Sequence, residues 1–456
     1  MTERREWWPA TALGTNAALV LLGCMLLGFS HHLAVEFDQF VIGYSETSLC
    51  ALATYLCAAA IVTRQPVNRW TLPIVMVFAV LCRLVLLTPD PHLSSDIYRY
   101  VWDGMVQHAG INPYRYVPGD VHLKFLRDDD IYPNINRRDY APTIYPPVAQ
   151  MFYFAATWFS NTLVMMKLWL YAMEGVTVWA LVQMLATLGL RREQVVLYAW
   201  SPLLIWEIGS SGHVDAVLMT AVVLAMVFRL RDRPVLVGLA LGAAVMIKFY
   251  PLLLFPALYR RRDWKMPTVL VAVVLVGYAV YLSVGRHVFG FAGSYAKEEG
   301  MTTGSRFFLL DLVQRVPGLH GVPIAAYVVF CALCFVPLLV WCWHVNERPG
   351  DAFVRPSAAL AMMLMLLFSP HYPWYVAWLV PFVVLRPSLP MGVYVCAIFY
   401  GFTTQWSEPG PKMFLLNECI YGVTALAFVL QWAYRRWLVG RVPAELWPVA
   451  AREVQG

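Results

Sequence analysis

The chain has 456 residues, of which 60% are hydrophobic and only 14% charged, against about 25% charged residues in an ordinary soluble domain. Together with a mean hydropathy of +0.59, this excludes a water-soluble enzyme of several domains and leaves a single polytopic membrane domain spanning 1–456. The net charge of +6 comes from arginines in short connections, where it sets membrane orientation and provides no nucleic-acid interface.

The N-terminal MTERREWWPA is basic and precedes an apolar run, Thr11 to Phe29, with no small-residue cleavage site, so it reads as a retained first helix. Further apolar runs lie at 47–63 and 70–87. A polar segment, 88–146, follows. The stretch 147–186 is read as one crossing at 163–186, with Val148 to Phe159 as a short dipping helix. Later runs fall near 195–209, 214–230, 235–249, 251–259, 267–284, 323–343, 357–369, 372–386, 390–404 and 413–434. Since a helix needs about 20 apolar residues to cross a bilayer, the shorter, Pro-bounded runs predict tilted or broken helices. The expected fold is all-α, with about 11–13 transmembrane helices and a large extracytoplasmic first loop.

Arg4/Arg5, Arg64/Arg69, Arg191/Arg192, Arg229/Arg231/Arg233, Arg260 to Arg262 with Lys265, Arg348/Arg355, Arg386 and Arg435/Arg436 fall on one side of this arrangement. The excess of Lys and Arg makes that side, and both termini, cytoplasmic. The opposite connections 30–46, 209–213 and 369–373 carry no Lys or Arg, and the polar segments 88–146 and 285–322 join them outside. The nine cysteines nearly all sit in apolar runs and read as packing residues. There is no internal repeat and no GxxxxGK[ST] or GxGxxG phosphate loop, which argues against an ATP-driven machine.

Charged groups at membrane level are costly and mark function by default. Residues 94–104, Ser-Ser-Asp-Ile-Tyr-Arg-Tyr-Val-Trp-Asp-Gly, would place Asp96, Arg99 and Asp103 on one helical face. Asp96 is then a candidate general base, with Asp103 orienting Arg99 or a sugar hydroxyl; a salt-bridged surface helix is the competing reading. Tyr145 in Thr143-Ile144-Tyr145-Pro146-Pro147 either lines a pocket or belongs to a rigid Pro bracket. His213 and Asp215 follow a small-residue turn suited to an anion, although Asp215 also suits a helix cap. Lys248 in Lys248-Phe249-Tyr250-Pro251 can meet a phosphate or snorkel to the interface. His371 lies in Ser369-Pro370-His371-Tyr372-Pro373-Trp374-Tyr375, and Arg306 is the lone cation of Thr302-Thr303-Gly304-Ser305-Arg306. Topology gathers all of these at one face. The run Asp128 to Asp130 is read as solvated charge.

One carboxylate, several cations and apolar bulk suit sugar transfer from a lipid-linked phosphate to an acceptor hydroxyl. The chain resembles the GT-C type polyprenol-phosphate-sugar-dependent glycosyltransferases, in particular bacterial relatives of the catalytic subunit of GPI mannosyltransferase I. The resemblance runs over roughly 88–380 and is carried by Asp96, Gly110-Ile111-Asn112-Pro113-Tyr114, Tyr145-Pro146-Pro147, Ser201-Pro202-Leu203 through Asp215, Lys248-Phe249-Tyr250-Pro251 and His371 to Tyr375. It implies inverting transfer of mannose from a β-linked polyprenyl-phosphate donor to a lipid or glycan acceptor, with Asp96 as base, in a bacterial inner membrane. The eukaryotic enzymes have Asp-x-Asp where Ser94 and Asp96 stand here, and Arg and Asn where Gly212 and His213 stand. No cofactor is implied, and the first of these departures puts a divalent metal in doubt. A transporter or flippase would favour mid-membrane charges and repeated halves. A lipid-linked glycan ligase or polymerase would also use outer-loop Arg and His.

Overall fold

A computed structural model describes residues 11–35, 40–404 and 411–439. Arg4/Arg5 and the two chain ends lie outside the described residues, which contain helices and turns and no strand. The thirteen longer helices are α1 (Ala12–Val35), α2 (Phe40–Arg64), α3 (Thr71–Leu84), α4 (Asp96–His108), α5 (Pro147–Ala156), α6 (Leu163–Thr187), α7 (Asp215–Leu230), α8 (Pro234–Val245), α9 (Lys265–Tyr281), α10 (Ile324–Val345), α11 (Val354–Phe368), α12 (Leu389–Thr404) and α13 (Pro411–Val439). Among the described residues, six helices are long and apolar enough to cross a bilayer. The remaining expected spans are shorter apolar helices such as α3, α8 and α11. Proline stands in the first turn of several short helical segments, including Pro202–Leu204, Tyr250–Leu254, Phe255–Leu258 and Pro373–Leu379, because a ring without an N–H starts a helix more readily than it continues one.

Burial sorts the helices into a centre and a rim. The segment before helix α7 and the first half of that helix, 195–223, are buried on all sides, as expected of a helix that is apolar all round. Helix α8 folds back on α7 and packs against α9; Gly238 and Gly242, one turn apart, bring the α8 backbone against Met266 and Val273. At the rim, only 6% of the α10 span is buried, so its Val328, Val329, Phe330, Leu333 and Val336 face outward and suit lipid. The stretch 147–187 forms the short α5 and the single long α6.

Two buried cations fix the approach to the first polar segment. Arg83 of α3 makes a bidentate pair with Glu174 of α6 (3.0 and 3.1 Å) and donates to the Ala199 carbonyl at 2.6 Å. Lys167 donates to the carbonyls of Leu86 and Pro89 at 2.9 and 2.8 Å, satisfying acceptors in the turns that follow α3.

The basic connections meet one another at one end of the bundle. Arg191 donates to the carbonyls of Val62 and Gln65, Arg229 to those of Leu258 and Asn346, and Arg386 pairs with Asp351. The two long polar segments meet elsewhere: Phe291 N donates to Thr143 O at 3.1 Å, and Arg137 pairs with Glu298 at 2.8 Å. Within the first segment Asp128 accepts from Ile131 N and Tyr132 N at 2.6 and 3.0 Å. It is therefore a turn cap, in contrast to the solvated role expected from its charge run, while Asp129 and Asp130 are exposed.

Candidate active site

Helix α4 begins at Asp96, so the carboxylate sits at the partly positive end of a 13-residue helix. Its Oδ1 accepts from Asn136 Nδ2 at 2.9 Å and its Oδ2 from the Tyr145 hydroxyl at 3.3 Å. His213 Nδ1 stands 3.9 Å from Oδ2, and the Asp96 side chain keeps 24% of its exposure. Burial pushes the Tyr145 phenol up, with the Asp96 charge adding to it, so the phenol stays protonated and donates. The Asp96 carboxylate is held by neutral donors and still faces open space.

That space is a cavity of about 870 Å³ between the two polar segments and the ends of α8 and α11. Ser94, Asp96, Arg99, Asn136, Arg137, Tyr145, Lys248, Tyr295, Glu299, His371 and Tyr375 line its polar part. Ile144, Phe249, Phe291, Leu364, Met365, Phe368 and Met413 line its apolar part. A cavity of this size holds a drug-sized ligand or a sugar with part of a lipid.

Of the residues nominated from sequence, Asp96, Arg99, Tyr145, Lys248 and His371 line the cavity. Asp103, His213, Asp215 and Arg306 stand behind the lining and are buried to within about 1% of full exposure loss. Asp103 pairs with Arg99 at 2.8 Å and accepts from Thr143 Oγ1 (2.5 Å) and Gln150 Nε2 (2.8 Å). Arg99 also donates to Ala141 O at 3.0 Å. This is a clamp holding the end of the polar segment onto α4, and Asp103 has no oxygen left for a sugar hydroxyl.

Asp215 sits at the start of α7 and accepts from Lys248 Nζ at 2.6 Å and from the Tyr250 hydroxyl at 3.3 Å. Lys248, 16% exposed, is the cation that reaches the cavity past this pair and lies over the Tyr375 ring at 5.3 Å. Arg306 pairs with Glu299 and covers the Phe368 ring at 4.6 Å. His371 lines the cavity as a neutral imidazole, since burial and then the Arg306 charge lower it to about 4.

His213 is also neutral, held well below its ordinary range first by burial and then by Lys248. It stacks on Trp374 at 4.1 Å and 25°. It is placed by a π-helical turn, Ile205–Ser210, and by Gly212 at φ +70°, where a Cβ would fall 2.3 Å from Ile97. Turns of this π type are enriched at functional sites.

Sequence reasoning missed Asn136, Arg137, Tyr295, Glu299 and Glu207. Asn136 and the Tyr295–Tyr375 hydroxyl pair at 2.7 Å have no local signature. Glu207, an acid inside an apolar run, was a visible anomaly.

The family described as alpha-(1->6)-mannopyranosyltransferase, N-terminal domain (MptA_B family), matches residues 7–260. The match takes in Asp96, Tyr145, His213, Asp215 and Lys248 and ends before Arg306 and His371. No curated protein and no solved structure matches the chain. The glycosyltransferase character expected from the motifs holds at the level of this family, and the likeness to the GPI enzymes remains a narrower resemblance carried by the motifs alone. With more than half of its length matched, this membrane-embedded glycosyltransferase belongs to the alpha-(1->6)-mannopyranosyltransferase family.

Proposed function

We propose that the chain transfers mannose from a polyprenyl-phosphate donor to an acceptor hydroxyl, with inversion at C1 and Asp96 as general base. The observation that supports this reading is a carboxylate held by neutral donors at the polar end of a cavity whose other end is apolar. Asp96 takes the proton of the acceptor hydroxyl as its oxygen attacks C1. The bond from C1 to the phosphate oxygen breaks, and the lipid phosphate leaves with the electron pair. Lys248 and Arg137, the cavity-lining cations with 16% and 33% side-chain exposure, meet the charge growing on that phosphate. His371 and the Tyr295–Tyr375 hydroxyl pair supply neutral donors. The apolar wall accommodates the prenyl chain, and the family's linkage favours a 6-hydroxyl on a lipid or glycan acceptor.

Charge supports the location. The cavity lies where the two long polar segments meet, and the basic connections gather elsewhere. The excess of positive charge in short loops supports a cavity on the extracytoplasmic side, and the reading takes the membrane to be a bacterial inner membrane with both termini cytoplasmic.

The test is transfer of label from polyprenyl-phosphate mannose to a membrane-lipid or glycan extract by purified protein. Asp96→Asn is expected to lower the rate by about 10²–10⁴-fold. Wild-type activity in Asp96→Asn would remove the base assignment, and movement of the intact lipid without sugar transfer would favour a flippase.

A further inference from the structure

Behind Asp96, a second carboxyl is buried without a counter-charge. Glu207 is 1% exposed, and its Oε2 lies 3.2 Å from His213 Nε2. Neither Glu207 carboxyl oxygen and neither His213 ring nitrogen has a further hydrogen-bond partner among the described residues. Buried polar groups in folded proteins are normally satisfied, so two orphans in contact call for a reason. A carboxylate buried with no cation beside it takes up a proton rather than carry an uncompensated charge. A protonated Glu207 has one hydroxyl to give, His213 Nε2 lies 3.2 Å from it as an acceptor, and the buried Ser211 hydroxyl beside the carboxyl is free to donate to its other oxygen. Once Nε2 accepts, the single imidazole proton belongs on Nδ1, the nitrogen that faces Asp96 Oδ2 at 3.9 Å. The Trp374 ring stacked on His213 prevents the imidazole from turning over. Distances of this kind shorten when substrate closes a site.

We propose that Glu207 and His213 are positioning residues for the base: the neutral Glu207 carboxyl donates to His213 Nε2, fixing the Nδ1–H tautomer and aiming that N–H at Asp96 Oδ2. The carboxylate is then gripped by three donors, Asn136, Tyr145 and His213, and its remaining lone pairs point to the acceptor hydroxyl. The inference rests on Asp96 being the base. It assigns to His213 a contact with the base in place of a contact with phosphate, and it gives a role to the one acid of the apolar run 195–209.

The experiment compares isosteric with apolar replacements in the purified full-length protein, with labelled polyprenyl-phosphate mannose as donor. Glu207→Gln keeps an N–H donor for Nε2, and its kcat is expected within about threefold of wild type; Glu207→Leu is expected to lose about 10–100-fold in kcat with donor KM nearly unchanged. His213→Asn, which retains a donor toward Asp96, should keep more kcat than His213→Phe, which retains only the stacking on Trp374. Equal losses in Glu207→Gln and Glu207→Leu, or wild-type kcat in Glu207→Leu or His213→Phe, would overturn the proposal. If Glu207→Leu does not accumulate in membranes, the two His213 variants decide. Asp96→Asn is assayed alongside: activity retained there removes the base and the positioning pair together, whereas an inactive Asp96→Asn beside a fully active His213→Phe removes only the pair.

Discussion

Lys248 Nζ lies 2.6 Å from Asp215 Oδ2, tying the turn after α8 to the first residue of α7. Asp215 is fully buried and Lys248 is 16% exposed, so one partner anchors and the other reaches the cavity. The pairing speaks against the snorkelling reading of Lys248, because a snorkelling lysine would point away from the bundle. It also makes Asp215 a holder of the lysine more than a simple helix cap.

Lys248→Met strands the Asp215 carboxylate in the interior, and removing one partner of a buried pair typically costs about 3–5 kcal/mol. The variant should unfold at lower temperature in detergent and show a raised donor KM. Lys248→Met combined with Asp215→Leu should recover most of the stability but not the donor affinity.

Asp103 accepts from Arg99, Thr143 and Gln150 and is 1% exposed. Asp103→Asn turns one of those acceptors into a donor facing other donors, at a cost of roughly 2–4 kcal/mol. Thermal unfolding should report that loss, while kcat on the fraction that remains folded stays within a fewfold of wild type. A catalytic contact to the sugar would instead lower kcat with stability unchanged.

Gly290 has φ +54°, and a Cβ there would stand 1.8 Å from the Thr143 carbonyl. The second polar segment is seated on the first through this close approach and the neighbouring Phe291 N to Thr143 O bond. Gly290→Ala adds both a clash and left-handed backbone strain of order 1–3 kcal/mol. The expected result is faster proteolytic cleavage within 285–322 and weaker donor binding, with the membrane helices intact.

His371 carries the clearest pH signature. Its imidazole is lowered from 6.5 to about 4 by burial and by Arg306, so the folded protein binds fewer protons than the unfolded chain between those values. Stability is therefore full above pH 6.5 and falls as pH drops toward 4. At pH 5 the loss amounts to about 1–2 kcal/mol. His371→Gln should flatten that part of the unfolding-temperature profile in detergent, and an unchanged slope would rule the residue out as its source.

Much of the site could be read from residue order. Asp96, Lys248 and His371 stand out as polar groups at the ends of apolar runs, and the loops that carry them share one sign of charge asymmetry. Glu207 was legible only as an anomaly, since nothing in Ile205-Trp206-Glu207-Ile208 tells whether an acid faces lipid, water or a histidine. Asn136 was hidden for a different reason: it reaches Asp96 across 40 residues of irregular chain, and no period governs such a segment.

By itself the sequence determined that this is a helical membrane protein, which ends of its helices are polar, and which loop carries Asp96, the proposed base. Those properties follow from composition and local spacing, because lipid admits only segments that satisfy their own backbone hydrogen bonds. The tertiary structure alone decided which cations face the cavity and which acids hold them. Arg99, Lys248 and Arg306 look alike in sequence, yet Asp103 takes the first, Glu299 covers the third, and only Lys248 keeps both a buried anchor and open space. Charge pairing of that kind depends on distances across the bundle, which no local pattern encodes.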